Sequence, residues 1–414
     1  MVNAFSRPLD GILVLDLTVA LSGPYASLLL GGLGAEVIRI EAPGEGEIGR
    51  TNPPFVGPDG IHFGAKRPQD VSLTTLNRAR NKKSITLNLK SPRGHALFMR
   101  LVKEADIVME NMSEGTAVKL KVDYESVRAV NPKIIYGSIK AFGEPSAYPT
   151  LKGMDIIVQA MSGIMEATGF KDGPPTRWGL PMADLLAPLF AVNGLMAALI
   201  YRGRTGEGQE VKVSMLDCLA SLVAEEHFDV FGDAGFALRT GNFLDRITPF
   251  GIYETKNGHV AIAAFTPAWF KGLLEVIGQP QLMQDPRFSS RGPRTKHAAE
   301  MNGYVEAWTR TQTSEHVVNE LLGKREIPST RVRSPKEVLQ DPLLHASGAV
   351  TRLTHPGLGK NAPYGMGLPI QFSKSKSQFD QPATELGSAN DEVYGGLLKL
   401  SSEELAALRA DGVI

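Results

Sequence analysis

Between Gly11 and Gly143 the chain alternates between short aliphatic runs and stretches of helical period. GILVLDLT (Gly11–Thr18) is an unbroken apolar run, the pattern of a strand buried on both faces of a parallel sheet. It breaks at Ser22-Gly23-Pro24, and YASLLLGGLGA then reads as a helix stopped by its glycines. EVIRIEAPGEG (Glu36–Gly46) gives a second strand running into a Pro/Gly loop. KSITLNL (Lys83–Leu89) gives a third, and Ser91-Pro92 supplies the N-cap and first-turn proline of a helix through Lys103. DIVMEN (Asp106–Asn111) and KIIYGSIKAFG (Lys133–Gly143) are further strands, with a helix near Tyr124–Val130 between them. Strands separated by helices predict right-handed crossovers and an α/β fold with a doubly wound, mostly parallel, Rossmann-like sheet.

A long apolar helix, Leu185–Arg202, leads through Thr205-Gly206-Glu207-Gly208 into the strand QEVKVSM, and a helix starts near Leu216. Beyond Phe231 the texture changes. GIYETKNGHVAIAA has the alternation and Lys-Asn-Gly-His turn of a β-hairpin, followed by helices at Ala268–Ile277, His297–Thr309 and Ser314–Leu322. The expected organisation is a discontinuous large α/β domain (1–227 and 331–414) with an inserted smaller α+β domain (228–330). From Pro335 the chain is loop-rich. It ends in SSEELAALRADGVI, where Ser401 and Glu404 form a capping-box pattern.

Composition narrows the function. Of 414 residues, 44 are Lys or Arg and 44 Asp or Glu, so no net field favours a polyanion and nucleic acid is not an expected partner. The apolar stretches are broken by Gly, Arg or Glu before the roughly 20 residues of a membrane span, and MVNAFSRPLD lacks a signal-peptide pattern. A single cysteine, Cys218, excludes a disulfide framework and reads as an inert core residue. The expectation is a cytoplasmic enzyme. The eight histidines show no metal-ligand spacing, so no metal is expected. The run Gly31-Gly32-Leu33-Gly34 lies at the far end of its helix, away from where a pyrophosphate would meet free N–H groups, so no NAD is expected either.

One carboxylate stands out, in GLPMADLL (Gly179–Leu186). Asp184 precedes an apolar helix with no other acid nearby in sequence. An aspartate there ordinarily caps the helix. The same amides would lower its pKa and turn one oxygen outward, as a nucleophile needs.

Several segments, in order, carry a resemblance: LDGILVLDLTVALSGP (Leu9–Pro24), LGAEVIRIEAPGEGE, NKKSITLNLKSPRG, ADIVMENMSEGT, NPKIIYGSIKAFG, MADLL and RTGEGQEVKVSMLD, then RTGN (Arg239–Asn242), DPRF (Asp285–Phe288) and HPGLG. Over nearly its whole length the chain resembles the class III CoA-transferases, the family of formyl-CoA and carnitine CoA-transferases and the α-methylacyl-CoA racemases. The resemblance implies an aspartate nucleophile at Asp184 and coenzyme A, brought as acyl-CoA substrate, bound by Val19, Ala20, Leu21 and Ser22, by Leu87, Asn88, Leu89 and Lys90, by Asn111 and Lys119, and by Lys152, Gly153, Met154 and Asp155. It also implies an interlocked dimer, of two copies or of one copy with a homologous subunit.

The chain departs from the family at three points. Where the racemases carry a histidine this chain has Met154, whose thioether is neither acid nor base, so a transferase is favoured over a racemase or epimerase. The consecutive glycines of formyl-CoA transferase are represented only by Gly232, Gly235 and Gly241, which argues against the oxalate/formate pair. The C-terminal Gly-Glu-His is Gly387-Ser388-Ala389. Exchange of CoA between two carboxylic acids is nearly isoenergetic and needs no ATP site. Backbone N–H groups of the Val19–Ser22 loop and of the small-domain glycine loop are the candidate oxyanion donors. Arg50, Arg177 and Arg246 are candidates to clamp a second carboxylate, which suggests a dicarboxylic acceptor with succinyl-CoA as donor. A non-catalytic CoA-binding partner subunit is the remaining alternative.

Overall fold

The computed structural model describes residues 6–355 and 362–414, and the chain divides into two compact units. The larger comprises residues 1–164, 178–226 and 339–414; the smaller comprises 165–177 and 227–338. This division moves the expected boundaries. Residues 165–177 join the smaller unit because Gly241 N–H donates to Gly169 O and Arg239 pairs with Glu166. The smaller unit also runs on to Val338, past the expected end at 330.

The larger unit is built on a six-stranded, all-parallel sheet: β1 (Leu13–Asp16), β2 (Glu36–Glu41), β3 (Lys82–Thr86), β4 (Ile107–Glu110), β5 (Ile135–Lys140) and β6 (Glu210–Ser214). Their spatial order is β3-β2-β1-β4-β5-β6. The order reverses between β1 and β4, so the connections after these two strands diverge and leave a crevice at their carboxyl ends. Val14, Leu15, Ile38, Ile85, Val108 and Ile135 are fully buried, which is why these strands read as aliphatic runs.

Helices α1 (Ser22–Gly32), α2 (Leu73–Arg78), α3 (Pro92–Glu104), α4 (Asp155–Met161), α5 (Met182–Thr205) and α6 (Met215–Glu225) belong to this unit. α5 begins three residues before the expected start. With 24 residues it is long and apolar enough by length and composition to cross a membrane, contrary to the sequence expectation of early interruption. Only 33% of its most apolar stretch is buried. Ala183, Ala187, Ala191, Leu195 and Ala198 make the buried stripe, at the i, i+4 and i, i+3 spacings of one helix face. Leu189, Phe190, Ile200 and Tyr201 are exposed.

Two small features were not expected. Strands Phe55–Gly57, Gly60–His62 and Val71–Ser72 form an antiparallel sheet between β2 and β3, and Val350–Arg352 pairs with Tyr364–Met366. The chain then returns to β3. Asn390 bonds Thr86 twice, Tyr394 donates to Thr86 O, and Asn88 N–H donates to Val413 O. Val413 and Ile414 lie in the main core. Gly387 and Ala389 donate their N–H groups to Ser84, so the Gly-Ser-Ala segment supports β3. Residues 356–359 of the HPGLG segment lie outside the described residues.

The smaller unit holds an antiparallel sheet of β7 (Phe250–Thr255), β8 (Gly258–Ala263) and β9 (Ser329–Arg331). Helices including Pro267–Val276 and Ala298–Thr309 pack on it through Phe270, Leu273, Met301 and Val305.

Candidate active site

Asp184 lies in the first turn of α5 but does not cap it. The N-cap position is Pro181, with no side-chain cap from that residue. The capping carboxylate comes from 29 residues earlier. Asp155 Oδ1 accepts the N–H groups of Ala183 at 2.8 Å and Asp184 at 3.3 Å, while its Oδ2 accepts Gln159 Nε2 at 2.6 Å. Gln159 is itself fully buried. It also donates to Leu180 O and accepts Trp178 N–H, so α4 fixes the segment that leads into α5.

The cap reading therefore needs correcting, and so does the electrostatics drawn from it. The Asp184 pKa is raised to about 6, first by burial and then by the neighbouring Asp155 charge. The Arg78 guanidinium and a hydrogen bond with Ser22 oppose the shift without cancelling it. Asp184 is a partly desolvated carboxylate with one weak hydroxyl partner, a state closer to a reactive nucleophile than to a satisfied cap.

Ser22 is placed by its neighbours. Asn111, at the carboxyl end of β4, accepts Val19 N–H through Oδ1 at 2.8 Å. Its Nδ2 donates to Val19 O at 2.9 Å and to Ser22 Oγ at 3.4 Å. With its oxygen accepting from Asn111, the Ser22 hydroxyl has its proton to give to Asp184. Glu47 Oε2 accepts the N–H of Ala20, a residue held at φ 65. Arg78 donates to Ala20 O at 2.8 Å. Gly23 is required by close approach, since a Cβ there would stand 2.2 Å from Thr18 Cβ.

These bonds change the oxyanion assignment. Val19 and Ala20 N–H groups are consumed by Asn111 and Glu47, so they are not free donors. Of that loop, the Leu21 and Ser22 amides remain, together with Gly23 in the first turn of α1, none of which has a hydrogen-bond acceptor among the described residues.

The other anticipated residues sort by exposure. Lys90, Lys119 and Lys152 are exposed and have no ion-pair partner among the described residues. Leu87 is buried in the main core, so its side chain is not a ligand contact; Asn88 and Leu89 are half-buried on the same loop after β3. Gly153 packs on Ala141, and Met154 is 66% exposed. The structure thus joins Val19–Ser22, Asn111, Asp155 and Asp184 in one connected group. Leu87–Lys90 and Lys119 have no hydrogen bond to it among the described residues.

Arg50 must be withdrawn as a substrate clamp. It is buried, paired bidentately with Glu41 at 2.7 Å through both Nε and Nη2, and it also donates to Ser84 Oγ and Thr384 O. Arg177 and Arg246 belong to the smaller unit, where the Arg246 guanidinium lies 4.9 Å from the centre of the Phe231 ring. Sequence reasoning missed Arg78, at the end of α2, and gave no role to Glu47, although Glu47 closes the LGAEVIRIEAPGEGE segment. It also missed Arg39, which is buried against Glu47 and Glu41 and whose Nε and Nη1 lack a hydrogen-bond partner. Among the described residues no group of three or more His, Cys, Asp or Glu side chains is arranged to hold a metal ion.

A parallel sheet, a switch-point crevice and a poised carboxylate beside it define a class of α/β enzyme, and comparison with known proteins says which. Residues 9–390 match CoA-transferase family III. The chain belongs to that family and is a class III CoA-transferase. It is 35% identical over 409 residues to the succinyl-CoA–D-citramalate CoA-transferase of Chloroflexus aurantiacus, covering 99% of this chain and 98% of that one. It is 34% identical over 430 residues to the formyl-CoA:oxalate CoA-transferase of Streptomyces avermitilis, covering 99% and 100%. Its fold is similar to the crystal structure of a CAIB/BAIF family protein from Brucella suis, with a TM-score of 0.81 and 30% identity over 95% of this chain and 100% of that one.

Proposed function

We propose that the protein moves CoA from succinyl-CoA to a dicarboxylic acid through covalent intermediates on Asp184. The observation that carries this reading is the Asp184 carboxylate itself: desolvated, freed from capping by Asp155, and faced by the Ser22 hydroxyl. An Asp184 oxygen attacks the thioester carbonyl of the donor, giving a mixed anhydride and CoA thiolate. The thiolate attacks the aspartyl carbonyl, releasing the donor acid as its carboxylate and leaving an aspartyl-CoA thioester. The acceptor carboxylate displaces CoA to form a second anhydride. Thiolate attack on the acceptor carbonyl then yields the new acyl-CoA and restores the Asp184 carboxylate. Each tetrahedral oxyanion is met by the Ser22 and Gly23 amides, where one donor is worth about 3–4 kcal/mol.

Lys90, Lys119 and Lys152 suit the phosphates of CoA as exposed point charges. The succinyl donor and the diacid acceptor rest on the similarity to the citramalate enzyme of Chloroflexus. The looser glycine spacing around Gly232, Gly235 and Gly241 favours succinyl-CoA over formyl-CoA. A second copy of the chain is the partner best suited to cover Leu189, Phe190, Ile200 and Tyr201 on α5 and Ile156 and Ile157 on α4, so a dimer is proposed.

The test is mass spectrometry of the protein incubated separately with succinyl-CoA and formyl-CoA. A CoA-sized adduct on the peptide carrying Asp184, formed with succinyl-CoA, is the expected result; an adduct elsewhere, or none with any donor, overturns it. Deuterium wash-in at the acyl α-carbon without CoA exchange would instead establish a racemase or epimerase.

A further inference from the structure

The Asp155–Gln159 latch has a feature that CoA binding does not require. Both Asp155 oxygens are spent inside the protein, on Ala183 and Asp184 N–H and on Gln159 Nε2. Gln159 is fully buried, and its amide is pinned at both ends by Leu180 O and Trp178 N–H. A carboxylate so engaged has little left to offer a ligand. It does have a direct effect on its neighbour, because a helix start with its amides already bonded cannot recruit the carboxylate of its own first turn.

We propose that Asp155 is a positioning residue for the nucleophile: by capping α5 in place of Asp184, it keeps the Asp184 carboxylate out of the helix and turned toward Ser22. This rests on the reading of Asp184 as the nucleophile. Two charged side chains act on Asp184, Asp155 from α4 and Arg78 from α2, and Ser22 from α1 supplies the uncharged partner. Without Asp155, the unbonded amides of Ala183 and Asp184 attract the Asp184 carboxylate, which lowers its basicity and its reach together.

The experiment uses the full-length protein in three variants, Asp155→Asn, Asp155→Ala and Asp184→Asn, each checked for fold by circular dichroism. Succinyl-CoA exchange is measured from pH 4.5 to 8.5. Asp155→Asn keeps the shape and one acceptor oxygen but removes the charge. Its acid limb is expected to move down by about one pH unit while KM for succinyl-CoA stays within about twofold. Asp155→Ala is expected to lose about a hundredfold in kcat, again with little change in KM, and to form the aspartyl-CoA adduct correspondingly slowly. A rise in KM with an unmoved acid limb would make Asp155 a CoA contact and overturn the proposal. Asp184→Asn separates the two readings. Exchange persisting there refutes the nucleophile itself, whereas an inactive Asp184→Asn beside unaffected Asp155 variants refutes only the positioning role.

Discussion

Two groups of buried charge in the larger unit have opposite characters. Around β2, Arg39, Glu41, Glu47 and Arg50 are all buried, and each acid faces a guanidinium. Burial alone would raise the Glu41 pKa, but the Arg50 hydrogen bonds and the two guanidinium charges bring it down to about 2. At the start of α5 burial acts on Asp184 too, yet the stronger of the two charges acting on it is another acid, and the pKa rises to about 6. In the first group Glu41 is held ionised by its guanidinium partners, and Glu47 braces the loop by accepting Ala20 N–H. The second keeps a raised pKa, which suits the nucleophilic role proposed for Asp184. The same desolvation is more than offset where structure is needed and only partly offset where chemistry is proposed.

The largest expected effect is on Asp184. Asp184→Ala should abolish exchange, a loss of about four orders of magnitude or more in kcat, with unchanged circular dichroism, since no helix cap is removed. Residual turnover within tenfold of the native rate would remove this group from the chemistry. Next comes Glu41→Gln, which leaves two buried guanidinium groups short of a countercharge and should destabilise the fold by about 3 kcal/mol in denaturant titrations. An unchanged midpoint would mean the β2 cluster is not the brace described.

Asp184→Asn should do the reverse. An acid whose pKa is higher folded than unfolded loses stability as pH rises from about 4 to about 6, so removing the charge should stabilise the protein by about 2 kcal/mol at pH 7.5, with the gain gone at pH 4. Thermal melts at the two pH values check the sign. Smallest is Ser22→Ala. Losing the hydroxyl that lowers the Asp184 pKa should move the acid limb of the rate upward and reduce kcat by about tenfold. A downward shift would mean that Ser22 does not donate to this carboxylate.

The sequence disclosed the sheet because buried parallel strands such as β1 and β4 are nearly continuous aliphatic runs, while β6, EVKVS and only partly buried, was legible from its alternation after a glycine turn. The antiparallel strands at 55–72 escaped notice because they are two or three residues long, too short for any period to register. At the site, Asp184 could be singled out from its apolar setting, but its pKa was inferred in the wrong direction. That inference required knowing whether another acid caps the helix, and Asp155 reaches it only by tertiary folding. Arg50 illustrates the converse. A lone arginine on a loop offers a substrate clamp until folding commits it to Glu41.

The return of residues 384–394 to β3 sets an order of events during synthesis. As the chain leaves the ribosome, β3 and the loop after it emerge early but wait for Asn390, Tyr394 and Val413, some 300 residues later in the chain. All parts of the smaller unit are already out by then, free to fold ahead of the sheet that precedes it. Val413 supplies the acceptor of Asn88 N–H, and Val413 and Ile414 both add core side chains, so disturbing this pair should be felt first on the Leu87–Lys90 loop.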